Sequence, residues 1–594
     1  MTLLTAARWA ALSLALTVAS TTSAQPAKEW TTAQAREILD KTQTTRLTPD
    51  LGQLSAGEKA AVSKLLQVGQ IFQDVYETQR HRSALTVRAE LAKRTDAAGK
   101  DLATLYRLNQ GPIAVTLDNK RVPFVAVDAP PPGKNVYPWD LTKAEIDAYL
   151  KAHPSDAASL TDLRSLVRRA NKSSLDRDLG KLAQYPVLDT LHPGLKARLT
   201  KLAAKPDRAM LYAAPYSVAY ADQMIRAHRL LNEAADAVEA DDWAFAKYLR
   251  NRARDLLSDD YESGDAAWLK GSFRNLNAQI GSYEVYDDEL LGVRAFYSFS
   301  LLAARNAEGA ALRKALSDVQ SLEDSLPSDQ HKKVQADIPV GVYDVIADFG
   351  QARGGSTATN LPNEAYLNAR YGSIILLRTN IMRDPNIFQG SGDSFAAAVA
   401  PAQARDLTID ANFYRTLWHE LGHYLGPDLT HGGRDLNTAL GADASLLEEM
   451  KADLVALYLA PELQKRGYYT ADQVRALYAS GVLRVLQNNR PRRDQPYNMM
   501  QLMQWNWFLD RGVLKFDAAS GKMTIDYARY PDAVRDLLKA VFALQENGDR
   551  AAADAFITKW GGWDEALHGR VATAIRGQQK YRYRLFEYGA LDGR

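Results

Sequence analysis

Thr416-Leu417-Trp418-His419-Glu420-Leu421-Gly422-His423-Tyr424-Leu425-Gly426-Pro427 is the stretch on which the reading of this chain turns. Phe413, Leu417, Leu421 and Tyr424 recur at helical spacing, and Gly426-Pro427 supplies a stop. Asp410 is the expected cap at the other end. On such a helix His419 and His423 point the same way, so both imidazoles can hold one metal ion with Glu420 beside it. A zinc ion bound this way takes three protein ligands and leaves a position for water, so a third ligand is required.

Two residues qualify by position. Glu449 lies in Ser445-Leu446-Leu447-Glu448-Glu449-Met450-Lys451-Ala452-Asp453, which reads as the start of a second helix running to Pro461. Ser445 and Glu448 match a capping box, which assigns Glu448 to the helix start and leaves Glu449 facing the metal; Glu448 is also, with Asp453, a candidate to support the ligands from behind. Asp453, one turn on, is placed to accept a hydrogen bond from the outer nitrogen of a ligand histidine. His431 is the alternative, although the motif with a third histidine after a glycine turn would want it where Leu429 stands.

The rest of the sequence sets bounds. Arg8, an apolar run from Trp9 to Val18 and the small residues Thr22-Ser23-Ala24 have the layout of a signal peptide over residues 1–24, predicting an exported, periplasmic or secreted protein. No later segment is apolar for long enough to span a bilayer, so no membrane association is expected after cleavage. There is no cysteine, which excludes disulfides and thiol catalysis. A formal charge of +2 gives no basis for nucleic-acid binding, and 46% hydrophobic residues suffice for a large core in two or more lobes.

Residues 31–108 read as helical, 113–127 as a hairpin around Asp118-Asn119, and 143–257 as helices broken at Pro154, Pro186, Pro193 and Pro206. Residues 279–299 read as irregular chain leading into a strand or helix, 301–326 as one helix ended by Pro327, and 340–349 and 373–377 as strands flanking Gly354-Gly355 and the turn Asn360-Leu361-Pro362-Asn363. From Asp406 the pattern is mostly helical again. Arg490, Arg492 and Arg493 read as a solvated loop, and His568 near Trp560 and Trp563 as a packed histidine.

Four separated pieces resemble the dipeptidyl peptidase III family of zinc exopeptidases, in its shorter, divergent bacterial branch: His419 to His423, Leu447 to Leu459, Asn360 to Asn363, and Ile280-Gly281-Ser282-Tyr283-Glu284-Val285-Tyr286-Asp287-Asp288. The resemblance covers roughly residues 280–515. It implies Glu449 as the third ligand of a single zinc ion (Zn2+), Glu284, Asn360 and Asn363 as contacts to the N-terminal end of a peptide, and Tyr286 near the scissile bond. The histidine that this family carries downstream has no counterpart here. Its place falls near Tyr497-Asn498, which makes Asn498 a candidate substrate contact.

The family implies an α+β, predominantly helical fold of two lobes about a wide cleft. Residues 25–300 plus 338–385 would form the substrate-binding lobe with its small β-structure, and 301–337 plus 386–594 the helical zinc-bearing lobe. The expected activity is removal of dipeptides from oligopeptides by water activated at the metal, with Glu420 as general base and Tyr286 assisting, in a monomer or weak homo-oligomer. The competing readings are a zinc endopeptidase or other amide hydrolase, and a catalytically silent periplasmic peptide-binding protein.

Overall fold

The computed structural model describes residues 28–334, 338–362 and 364–593. The expected signal peptide and Asn363 lie outside the described residues. The fold is α+β and predominantly helical. No helix among the described residues is long and apolar enough to cross a membrane.

Strands β1 (Thr42–Leu47), β2 (Leu276–Ser282), β3 (Tyr297–Ala304), β4 (Val340–Gly350), β5 (Ala358–Leu361), β6 (Ile374–Arg378) and β7 (Tyr583–Tyr588) frame the part of the molecule that matters for the site. A five-stranded sheet runs in the order β2-β3-β4-β6-β5, antiparallel except for the β4/β6 pair. Alternation gives its first strands two unlike faces. On one, Tyr297 and Phe299 meet Phe72 of helix α1 (Ala56–Arg80) edge to face. On the other, Gln279, Ser300 and Asp348 pair in register across β2, β3 and β4 to form a polar row. Helix α1 starts with a capping box made by Ser55 and Glu58. It lies directly on the sheet because Gly69 has no Cβ, which would otherwise stand 2.3 Å from the Phe349 ring.

Among the described residues the buried apolar side chains form two large cores and a small N-terminal one. The first gathers α1, much of the sheet and the helices that precede it. The second is built mainly from helices α2 (Ile409–Gly422), α3 (Ala444–Tyr458), α4 (Ala471–Val485), α5 (Pro496–Asp510) and α6 (Tyr530–Asn547). Strand β6 joins them. Ile374 and Leu376 enter the first core and Ile375 and Leu377 the second, as the two-residue period of a strand requires.

The hairpin expected at 113–127 forms, with Asn119 in the left-handed region at φ 63. The single helix expected over 301–326 does not. Residues through Ala304 belong to β3, and two helices, Asn306–Leu316 and Val319–Asp324, follow. Leu301-Leu302-Ala303-Ala304 has a helix-favouring composition, but strands on both sides claim its backbone. Residues 279–282, read as irregular, close β2, and Asn360 belongs to β5 rather than to a free turn. Strand β1 interrupts the expected helical stretch because it pairs in parallel with β7, at the far end of the chain.

Candidate metal centre

Helix α2 buries Phe413, Leu417 and Leu421 in the second core, as its apolar stripe predicts. Its cap differs from expectation: Thr408 occupies the capping position without a side-chain bond, and Asp410 pairs instead with Arg383. The helix closes on His423, whose backbone is still right-handed, and the chain turns away through Gly426 at φ 77. Helix α3 crosses α2 at Gly422, where a Cβ would come 2.7 Å from the Ala452 carbonyl oxygen. That close crossing sets Glu449 and Asp453, one turn apart, against His419 and His423.

Glu449 Oε2 lies 3.3 Å from His419 Nε2 and 3.8 Å from His423 Nε2. The two rings stand nearly perpendicular, with centroids 4.9 Å apart. Ligand atoms about 2.0–2.2 Å from a tetrahedral ion lie roughly 3.3–3.6 Å from one another, so these atoms bracket a position for one ion. The ligand atoms of all three side chains fall within 4.8 Å of each other. Glu449 Oε2 is buried without a hydrogen-bond partner, while Oε1 accepts from the Tyr497 hydroxyl at 2.7 Å. A buried carboxylate oxygen that faces two imidazole nitrogens and accepts no hydrogen bond is costly unless a cation joins the three, and the His-His-Glu donor set suits zinc.

The outer nitrogens are held as well. His419 Nδ1 is 2.8 Å from Asp453 Oδ1, and His423 Nδ1 is 2.9 Å from Glu448 Oε1. Each carboxylate favours a proton on Nδ1 and so presents Nε2 as a lone-pair donor. Asp453 also receives Arg415 at 3.2 Å and Arg484 at 3.3 Å, and Glu448 receives Lys451 at 2.8 Å. The capping box expected for Glu448 does not form. Helix α3 starts at Ala444 with Asp443 in the cap position, so Glu448 sits beyond the first turn and holds the second imidazole instead.

Electrostatics prepare this cluster for a cation. Burial works against a charged His419, yet the charge and hydrogen bond of Asp453 and the nearby carboxylates of Glu449 and Glu420 raise its pKa to about 9. Burial also works against ionised Glu448, but the hydrogen bond from His423 and the charge of Lys451 bring its pKa down to about 2. Asp453, fully buried beside Arg484, His419 and Arg415, is held below the usual carboxylate range despite its desolvation.

The cluster opens into a cleft of about 540 Å³. From the helical side come His419, Glu420, His423, Glu449 and Tyr497; from the sheet side come Glu284, Tyr286, Asn360, Gln279 and Arg378. Tyr286 is 78% exposed, and the charge of Glu284 beside it raises its pKa. Two candidates lie elsewhere. His431 is an exposed loop residue, and Asn498 turns from the cleft to donate to Gln487 at 3.0 Å. The first turn of α5 places neighbouring residues on different sides, so Tyr497, not Asn498, faces the metal ligands. Arg490, Arg492 and Arg493 border a separate hollow, and His568 packs against Trp505 and Trp563. Nothing in the apolar run Ile374-Ile375-Leu376-Leu377 marks the following Arg378 as a cleft residue; only the sheet order reveals it.

No family model matches the sequence. Nudix hydrolase 3 of Arabidopsis thaliana is 27% identical over 464 residues, 76% of this chain and 56% of that protein, so the chain spans little more than half the length of this relative. Among solved structures, dipeptidyl peptidase III from Caldithrix abyssi superposes with a TM-score of 0.78 at 23% identity, covering 93% of this chain and 98% of the other. Dipeptidyl-peptidase III from Corallococcus sp. strain EGB gives 0.68 at 25% identity, with 93% and 96% covered. Over nearly its whole length the chain therefore has a dipeptidyl peptidase III-like fold.

Proposed function

We propose that this chain is a zinc-dependent peptidase that removes dipeptides from the free-amine end of oligopeptides. The observation that carries the reading is the buried Glu449 Oε2, which accepts no hydrogen bond and lies 3.3 and 3.8 Å from the Nε2 atoms of His419 and His423, at the wall of a cleft that a sheet edge also lines. Likeness to two solved dipeptidyl peptidase III structures supports it.

His419, His423 and Glu449 would hold the ion. When bound, zinc supplies a Lewis acid that makes a water nucleophilic near neutral pH and polarises a carbonyl. Glu420, between the two histidines and open to the cleft, takes the proton of the attacking water and delivers it to the departing amine. Asp453 and Glu448 keep both imidazoles in the tautomer that leaves Nε2 free.

Glu284 offers a fixed anion to the substrate's ammonium, and Asn360 offers amide groups to its first backbone unit. Strand β5 is the outer strand of the sheet, so an extended peptide can lie along its free edge. Tyr286 and Tyr497 each bring a hydroxyl to the cleft where charge develops on the attacked carbonyl oxygen. On this reading the sheet-bearing part, which keeps all of β3 to Ala304 and β7 with its partner β1, and the helical part that carries α2 and α3 close on the bound peptide.

The test is hydrolysis of a dipeptidyl-naphthylamide and of its N-acetylated form by zinc-loaded protein and by Glu420→Gln. The expected result is cleavage of the free-amine substrate alone, falling at least ~10²-fold in Glu420→Gln. Equal cleavage of the acetylated substrate would remove the exopeptidase part, and equal rates for the two proteins would remove Glu420 as the base.

A further inference from the structure

Arg378 ends strand β6 and lies fully buried, with the cleft on one side of it and the polar row of the sheet on the other. Its hydrogen bonds are long and go to neutral atoms: Nη1 donates to Thr359 Oγ1 at 3.3 Å, and Nη2 to Gln279 Oε1 at 3.2 Å and Ser300 Oγ at 3.4 Å. Nε has no partner. Among the described residues no carboxylate comes within the 4.0 Å of an ion pair. Asp348, the next acid on that face, is reached only through Ser300, whose hydroxyl donates to it.

A guanidinium normally enters a protein interior against a carboxylate, because an unpaired charge in low dielectric is unfavourable. Burial pulls the pKa of Arg378 down and that of Asp348 up, so neither charge is fully compensated by the other. The neighbours that hold Arg378 also place it. Thr359 adjoins Asn360 on the edge strand, and Gln279 lies on β2, five residues before Glu284. Arg378 therefore sits beside the groups assigned above to the first residues of the substrate, on the sheet side of the cleft and across from Glu420 and Glu449.

We propose that Arg378 is the specificity-determining residue of the cleft, selecting peptides whose first or second residue carries a carboxylate side chain. The proposal rests on the peptidase reading for the direction in which the peptide lies. With Thr359 and Gln279 giving up their long bonds to Nη1 and Nη2, an aspartate or glutamate side chain over β6 would supply the ion pair that the fold withholds. A neutral side chain would leave the guanidinium as it is, and a basic one would meet it with like charge.

The experiment is calorimetric titration of zinc-loaded protein carrying Glu420→Gln, so that no substrate is consumed, with tetrapeptide amides. The set has Glu, Gln or Lys at the first or the second position and Ala elsewhere. Amidation removes the α-carboxylate, and a parallel titration with acetate separates recognition of a peptide side chain from capture of any free carboxylate. The expected result is Glu over Gln by at least tenfold at one of the two positions, Gln over Lys, and loss of the Glu preference on adding Arg378→Gln. Arg378→Lys should keep part of the preference, which distinguishes lost charge from a disturbed fold. Equal binding of the Glu and Gln peptides overturns the proposal without touching the peptidase reading. A preference that survives in Arg378→Gln also overturns it, as does acetate binding as tightly as the peptides. Failure of every peptide to bind overturns both readings.

Discussion

Glu448 Oε1 stands 2.9 Å from His423 Nδ1, while the next residue along α3, Glu449, turns Oε2 to within 3.8 Å of Nε2 on the same ring. Two consecutive glutamates thus address opposite edges of one imidazole. A helix can do this because its successive side chains diverge by about 100° and His423 lies in the angle between them. Lys451, almost fully buried, completes the arrangement by pairing with Glu448 at 2.8 Å.

Glu448→Gln is expected to weaken zinc binding about 10–100-fold with little change in secondary structure. The amide still reaches His423 but no longer carries the charge that favours a proton on Nδ1, and it leaves Lys451 without its anion. Competition with a chromophoric chelator measures the affinity. An unchanged Kd would show that the hydrogen bond does not orient the ring.

Tyr497→Phe tests the other side of the ligand set. The Tyr497 hydroxyl donates to Glu449 Oε1 at 2.7 Å and so leaves Oε2 as the oxygen that faces the histidines. Tyr497 is 48% exposed, so water can replace part of the bond, and the expected loss in zinc affinity is up to about tenfold. Steady-state kinetics on zinc-saturated protein then separate the second role: a fall in kcat at full occupancy assigns the hydroxyl to the substrate as well. Identical Kd and kcat in the two proteins would leave Tyr497 with neither.

Of the candidate ligands, His419 and His423 were legible in the sequence because helical periodicity puts them on one face; Glu449 needed the resemblance as well, with His431 the alternative. Strands β4 and β6 and the hairpin at 113–127 were legible for the same reason, each carrying its own local pattern. What escaped is what depends on distant partners. Strand β1 exists only because β7 lies beside it, and residues 301–304 are extended only because β2 and β4 flank them. The exchange of Tyr497 for Asn498 turned on which side of one helical turn faces the ligands, a matter of about 100° that no motif encodes. Glu448 shows a further limit. A capping-box spacing is a local signal, and α3 started at Ala444 instead, which released that carboxylate for His423.

Asp259 gives a pH dependence away from the metal. Burial, only partly offset by the hydrogen bonds from Ser217, pushes its carboxyl pKa from 3.8 up to about 7. The folded state then binds the proton more tightly than the unfolded chain. The stabilisation is complete below about pH 4 and is lost as the pH rises through about 7. Asp259→Asn, at a left-handed position with φ 57 that asparagine tolerates well, removes the ionisation. The variant is expected to exceed the parent in stability at pH 8 by on the order of 1–3 kcal/mol and to match it near pH 4. Urea midpoints at the two pH values, with zinc saturating in both, provide the measurement. A parent-to-variant difference that does not change with pH would show that Asp259 is not the group responsible.

Gly422→Ala asks whether the helix crossing itself builds the centre. The added Cβ would stand 2.7 Å from the Ala452 carbonyl oxygen and 2.9 Å from the Ala452 Cα, both backbone atoms that cannot rotate aside. The helices must separate, and overpacking of this kind costs about 1–3 kcal/mol. Removing a helical glycine returns up to about 1 kcal/mol, so the net change is destabilising. Gly180→Ala is the control: it lies in the exposed face of the helix Lys172–Gln184 with nothing within 4 Å of the new methyl, and should stabilise by about 0.5–1 kcal/mol. Because His419 and His423 sit on α2 and Glu449 on α3, separation also lengthens the distances across the ligand set. Thermal unfolding with zinc and with chelator therefore reads two quantities. In Gly422→Ala the melting temperature falls in both conditions, and the gap between them narrows because less binding energy is coupled to folding. A gap as wide as the parent's would mean that the ligands reach the ion wherever the helices lie, and that the crossing serves the fold alone.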